Sequence, residues 1–194
     1  MKLTYLTKSV LVRVFYIITF IPALFSLTVY LIVNSDSAFV SFAKLFSLIP
    51  GKMGNYMRTS YYMLTLTECH YDLSVDFCSF FAHPNAKVRR GVVIGSFSII
   101  GSADLGNNVL ISSKVSILSG KFQHKIGQDI SPGIYYEGFD NIRIDDNSWI
   151  GEGVIVMANI GKNCIVSAGS TVTRAMKDHT TAIGNPARII QLES

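Results

Sequence analysis

Charge is scarce in this chain: Asp, Glu, Lys and Arg make up 15% of 194 residues, against 49% apolar residues. That balance points to a membrane-facing part or to unusually complete burial of repeats. Cysteine is scarce too. Cys69, Cys78 and Cys164 are odd in number and lack metal-like spacing, which excludes a disulfide framework and suits a reducing compartment. Cys164 reads as a small apolar filler. The four histidines, His70, His83, His124 and His179, are scattered, so the trio that a zinc site needs is missing. Basic residues are dispersed among aliphatics with no cluster or reading motif, which argues against nucleic acid as a partner. The length suits one domain with an appendage and is too short for two.

The charge that is present is unevenly placed. Up to Thr67 there are six basic residues and one acid, Asp36; from Glu68 onward eleven basic residues face twelve acids. A cationic, apolar N-terminus on a near-neutral body suits contact with anionic lipid. Between Arg13 and Asp36 lie twenty-two residues without a charge, VFYIITFIPALFSLTVYLIVNS. Such a run is long enough to cross a bilayer as a helix, exceeds the core of a secretory signal, and has no small-x-small cleavage site after it. Pro22 sits near its middle, where it removes a backbone hydrogen bond and favours a kink. Lys2, Lys8 and Arg13 on one side match Lys44, Lys52 and Arg58 on the other, so charge does not fix an orientation. Two arrangements remain: a single crossing, or a kinked helix that dips into one leaflet, with the charge balance favouring the second. We expect residues 1–40 to form an apolar membrane-anchoring helix. Residues 41–74 form an amphipathic helical lead-in: Phe42, Leu45, Phe46 and Ile49 fall at helical spacing before Pro50-Gly51 interrupts it. This lead-in would lie in the headgroup region or pack on the body.

The rest of the chain carries a six-residue aliphatic period. Val88, Ile94 and Ile100 are six apart, as are Val93, Ile99, Leu105, Ile111 and Ile117. Ile144, Ile150 and Val156 continue it, followed by Val154, Ile160, Val166 and Val172. A period of six fits neither a helix nor an ordinary strand; it is the mark of a parallel β-helix, whose aliphatic residues point inward and stack from coil to coil. Glycine or a small residue often follows the aliphatic one, as at Gly95, Gly151 and Gly161, supplying corner geometry. The register shifts around Ile99–Ile100 and Val154–Val156. The period stops after Ser119-Gly120-Lys121-Phe122-Gln123, and His124 opens a long irregular loop, about 121–141. A loop expelled from a regular solenoid is where a site is expected.

Three segments carry a resemblance: Trp149-Ile150-Gly151-Glu152-Gly153, then Ile165-Val166-Ser167-Ala168-Gly169-Ser170-Thr171-Val172-Thr173, then Ile183-Gly184-Asn185-Pro186-Ala187-Arg188-Ile189-Ile190. In order and spacing they resemble the closing coils of hexapeptide-repeat acetyltransferases, over about residues 75–190. The Ser-Gly-x-x-Gln-His stretch and residues 44–66 are similar to a subgroup that modifies polysaccharide and lipopolysaccharide. The resemblance implies a mainly β protein, a left-handed parallel β-helix over residues 75–190, here with an N-terminal α-helical membrane-associated segment. It also implies a homotrimer with acetyl-CoA between subunits and no metal. By motif, Ala168 would offer backbone groups to the pantetheine arm, and Thr173 and Arg174 match a Thr-Lys pair near the cofactor. Arg188 would meet CoA phosphate, which a guanidinium fork suits. Trp149 lines the cofactor groove or packs at a coil edge.

Acetyl transfer to a hydroxyl asks for a base with a near-neutral pKa, which makes histidine the expected catalytic group. His124 is the candidate, with Glu137 or Asp140 of the same loop to orient it. The sequence departs here from sugar and antibiotic acetyltransferases, whose histidine falls two positions earlier, at Phe122. His179 reads as surface, and His70 and His83 as structural. The expected reaction is transfer from acetyl-CoA to a saccharide hydroxyl in cell-surface polysaccharide or lipopolysaccharide biosynthesis, on a free or lipid-linked acceptor. Acetyl-CoA is cytosolic, so the catalytic body would face the cytoplasm at the inner (cell) membrane, held by lipid contacts of the N-terminal segment. A serine or antibiotic O-acetyltransferase is the alternative among enzymes. A non-catalytic membrane-bound scaffold is the alternative of another class.

Overall fold

The structure is a computed structural model that describes residues 2–33, 35–118 and 141–190. Three helices lead: α1 (Lys2–Val33), α2 (Ser37–Ser47) and α3 (Gly51–Thr65). The division expected at residue 40 falls inside α2, and α1 continues through Pro22 as one helix.

Strands of two or three residues follow, in three sheets. The first holds β1 (Glu68–Cys69), β4 (Lys87–Val88), β7 (Ala103–Leu105) and β10 (Ile142–Ile144). The second holds β2 (Ser74–Val75), β5 (Val93–Ile94), β8 (Leu110–Ile111), β11 (Trp149–Ile150), β13 (Ile165–Val166), β15 (Thr181–Ile183) and β16 (Arg188–Ile190). The third holds β3 (Phe80–Phe81), β6 (Ile99–Ile100), β9 (Ser116–Ile117), β12 (Ile155–Val156) and β14 (Thr171–Val172). Each coil visits the sheets in the order first, second, third, and Ile160 and Met176 extend the first sheet as parallel bridges. The strand pairings are parallel until β16 turns back on β15 as an antiparallel edge. The result is a three-sided parallel β-helix capped at one end by the helices.

The six-residue period has a local cause. One side chain per strand points inward, and the residue three positions earlier turns the corner with positive φ: Asn108 (55°) before Ile111, Asn147 (58°) before Ile150, Asn163 (53°) before Val166. Asparagine tolerates this region better than most residues with a Cβ. The residue two before each inward aliphatic is also buried, and where it is serine its hydroxyl stitches coils together. Ser148 Oγ accepts from the Cys164 N–H (3.0 Å) and donates to the Gly161 carbonyl (2.7 Å). Ser98 Oγ does the same with Val115 N–H and Ser112 O, each at 3.1 Å. These buried hydroxyls are satisfied, so they cost the core little. Cys164 holds the equivalent buried position, as its filler reading expects.

Of the two overlapping aliphatic series, Val88, Ile94 and Ile100 point inward throughout, and the other points inward only from Leu105 onward. Val93 and Ile99 face outward, and their neighbours Ile94 and Ile100 are the buried ones. The cause is the corner between the third and first sheets, which varies in length: seven residues separate the inward Phe81 and Val88, and fewer than six separate the inward residues after β6 and β12. Ile100 is followed inward by Leu105 five residues on, and Val156 by Ile160 four residues on, so the frame advances there. Each fully buried isoleucine removed from water contributes roughly 1.5–3 kcal/mol.

Arg58 locks the helices to the first coil. It is fully buried, and its Nε donates to the Val75 carbonyl at 2.9 Å. Its Nη1 donates to the carbonyls of Phe46 (2.9 Å) and Ile49 (2.8 Å), closing the turn between α2 and α3. Burial lowers its pKa from the usual arginine value. Tyr61 and Tyr62 pack beneath it; burial pushes the Tyr61 hydroxyl up to about 12, and it donates to the Phe39 carbonyl at 3.1 Å.

Candidate active site

The corner between the third and first sheets carries an ordered series of features along one edge of the β-helix. In the first coil it is the turn after β3, with His83, Pro84 and Asn85. In the third coil it is Leu118, directly after β9. Two coils further, after β14, it is Thr173–Arg174. Adjacent strands lie about 4.8 Å apart, so Thr173 lies roughly 10 Å from Leu118 along this edge.

His124, with Glu137 and Asp140, lies outside the described residues. The other three histidines are placed in structural contacts. His83 Nδ1 is 3.1 Å from Asp36 Oδ2, tying the first coil to the α1–α2 link. His70 Nδ1 accepts from the Asp72 N–H at 3.1 Å; partial burial lowers its pKa, with Asp72 opposing. His179 turns a corner at φ 59°, its Nε2 3.5 Å from Asn163 Nδ2. It takes the place that asparagine holds in the coils below.

The expected cofactor residues fall around the last coils. Ala168 is exposed at the corner between the second and third sheets. Gly151 lies against it: a Cβ at 151 would come 2.6 Å from the Ala168 nitrogen, so two of the motif segments pack backbone to backbone. Thr173 is half-buried and Arg174 exposed, across the third sheet from Ala168. Arg188 is exposed on β16, opposite Ile183. The hairpin carrying it is pinned where the Ala187 N–H meets the Thr171 carbonyl (2.8 Å). Thr173 and Arg188 therefore both flank β14. Trp149 stands apart from them on the outer face of the second sheet, its Nε1 donating to Ser112 Oγ at 3.2 Å. It heads an exposed apolar column with Val93, Leu110 and Ile165, in register across successive strands.

Sequence reasoning missed a cavity of about 250 Å³ at the helical end of the same edge. Leu27, Tyr30, Asp36, Leu64 and Asn85 are among its walls. Asn85 Oδ1 accepts from Ser102 Oγ at 2.9 Å, and its Nδ2 lies 3.5 Å from Asn141 Oδ1. The cavity is assembled from residues up to 62 positions apart, so no local motif signals it. Among the described residues no group of three or more His, Cys, Asp and Glu is placed to hold a metal ion.

No protein-family model matches the chain. It is 30% identical over 115 residues to the galactoside O-acetyltransferase of Lactococcus lactis subsp. lactis, covering 56% of this chain and 54% of that one. It is 32% identical over 110 residues to the serine acetyltransferase of Escherichia coli K12, covering 56% and 37%. The chain thus spans about half or less of these curated relatives. Among solved structures it is similar to a maltose O-acetyltransferase from Clostridium difficile 630, with TM-score 0.55, 21% identity, and coverage of 83% of this chain and 87% of that one. The fold defines the class, a hexapeptide-repeat parallel β-helix preceded by a long apolar helix. Its homologues in sequence are acetyltransferases.

Proposed function

We propose that this chain transfers acetyl from acetyl-CoA to a hydroxyl of a saccharide, in the building of a cell-surface polysaccharide or lipopolysaccharide. The observation that carries the reading is the arrangement along one edge. Leu118, six residues before His124 in the sequence, lies along this edge between the cavity at Asn85 and the corner at Thr173–Arg174. In this reading the acceptor enters from the cavity side and the donor lies along the last coils.

His124 takes the proton of the acceptor hydroxyl as that oxygen attacks the thioester carbonyl. The C–S bond breaks, and the proton passes to the departing CoA thiolate. General-base catalysis of this kind contributes about 10² to 10⁴-fold, and positioning of both substrates supplies much of the remainder. The backbone of Ala168 meets the pantetheine arm, Thr173 and Arg174 flank the donor, and Arg188 meets phosphate. Arginine suits that task because its planar donor fork matches phosphate oxygens. Trp149 lies on the face we assign to assembly: its apolar column is what a neighbouring copy would cover, forming a homotrimer with acetyl-CoA between subunits. The body works on the cytoplasmic face of the cell membrane, where acetyl-CoA is available, and a lipid-linked acceptor gives the apolar N-terminal helix its purpose.

The test is CoA release by the detergent-solubilised full chain supplied with acetyl-CoA and either free or lipid-linked saccharides. Release that depends on a saccharide, with acetylated product seen by mass spectrometry, is the expected result. Acetylation of serine, with saccharides inert, would overturn the acceptor class.

A further inference from the structure

The α1 helix is inside out. Polar side chains along one stripe face the protein: Thr19 Oγ1 is 3.0 Å from Ser60 Oγ, and Ser26 Oγ is 2.9 Å from Tyr61 Oη. Tyr16 Oη donates to Met63 Sδ (3.2 Å), and Lys8 Nζ donates to the Asp72 carbonyl (3.0 Å). Most of its large apolar side chains face out, Val12 excepted: Ile17 is 80% exposed, Ile21 73%, Leu31 73% and Ile32 78%. A helix packed on a protein in water shows the opposite sorting. Contiguous apolar surface of this extent is an interaction face. Phe25 on this face meets Phe42 of α2 edge-on, ring centres 6.1 Å apart, and Leu45, one turn along α2, is exposed as well.

The same contacts decide how such a face can meet lipid. They run from Lys8, bonded at the turn before β2, to Tyr30 at the cavity wall. At 1.5 Å per residue that is about 33 Å of helix, the whole thickness of a bilayer's hydrocarbon core. Were α1 to cross a membrane in this packing, Asn55, Arg58 and Asp72 would cross with it, along with the first coil. Open strand corners and charged side chains at that depth are prohibitive.

We infer that α1 lies in the plane of a bilayer, its outward face sunk in one leaflet and the β-helix beside it in the cytoplasm. Arg13, exposed at one end of the apolar face, and Lys52, exposed on α3, reach anionic headgroups. The occupant of the face is therefore a lipid leaflet bearing anionic phosphates. This rests on the membrane placement proposed above and settles how it is achieved. It also sets the cavity beside Leu27 and Tyr30 at the leaflet's edge.

The test places single tryptophans at Val10, Ile17, Ile21 and Ile32 in the full chain. It measures their quenching by lipids brominated at graded depths, in vesicles of phosphatidylcholine with about a third phosphatidylglycerol. Trp149 supplies a constant background. The expected result is one shallow depth, roughly 5–10 Å below the headgroups, at all four positions. A profile deepest at Ile17 and Ile21 and shallow at both ends would overturn the in-plane arrangement while keeping the membrane. No binding to these vesicles, together with a larger assembly in solution, would overturn both and give the face to a second copy of the chain.

Discussion

Gly151 sits so close to Ala168 of the next coil that a Cβ there would lie 2.6 Å from the Ala168 nitrogen and 2.7 Å from the Val166 carbonyl. Both neighbours are backbone, so they cannot swing aside. Gly151→Ala must open the spacing of two coils, and overpacking of this kind costs about 1–3 kcal/mol. In a chain of this size we expect a Tm lower by several degrees. Because Ala168 is proposed to hold the pantetheine arm, KM for acetyl-CoA should rise as well. An unchanged Tm would show that the coils are looser than their geometry implies.

An inward and an outward aliphatic residue of the second sheet give a sharper test of the frame. Ile150 is buried between Ile111 and Val166, whereas Val93 points outward on β5. Ile150→Ala should cost about 2–5 kcal/mol in denaturant unfolding. Val93→Ala, measured on the dissociated chain, should stay within about 0.5 kcal/mol. Equal costs would mean that the shift at the corner between the third and first sheets is misplaced.

Arg174 and Arg188 are both exposed, so replacing either with alanine should leave Tm alone. Each loses one charged contact to the donor in the proposed complex, worth about 1.5 kcal/mol or a little more. The expected outcome is a roughly tenfold higher KM for acetyl-CoA with kcat nearly unchanged. Steady-state kinetics at saturating acceptor measure both.

His70 makes stability depend on pH. Partial burial, with Arg90 and Lys8 adding to it and Asp72 opposing, holds its pKa below the ordinary histidine value. The folded chain therefore binds fewer protons at this site than the unfolded one. Its contribution is fully present above about pH 6.5 and is lost as pH falls toward the folded pKa. Thermal unfolding between pH 8 and pH 5 should show this decline, and His70→Gln should flatten it.

The repeat was legible because it is local: one inward aliphatic in six, a corner residue three before it, a small residue two before it. Its phase was less so. Val93–Ile94 and Ile99–Ile100 are paired aliphatics that satisfy either frame, and the corner that chooses between them follows from how coils stack. The closing motifs carried the resemblance and led to Ala168, Thr173, Arg174 and Arg188. The cavity, the His83–Asp36 contact and the reversed sorting of α1 join residues far apart in the chain. In α1 the hydropathy run announced lipid, yet its polar members Thr19 and Ser26 disclosed their purpose only against Ser60 and Tyr61.

His124 is the proposed base of an acetyl transfer. The most direct measurement compares CoA release by the wild-type chain and by His124→Ala, at saturating acetyl-CoA and saccharide, with acetyl-CoA binding measured in parallel. The expected result is a kcat lower by about 10² to 10⁴-fold while binding of acetyl-CoA persists. Undiminished turnover in the variant would contradict it and move the base to another residue.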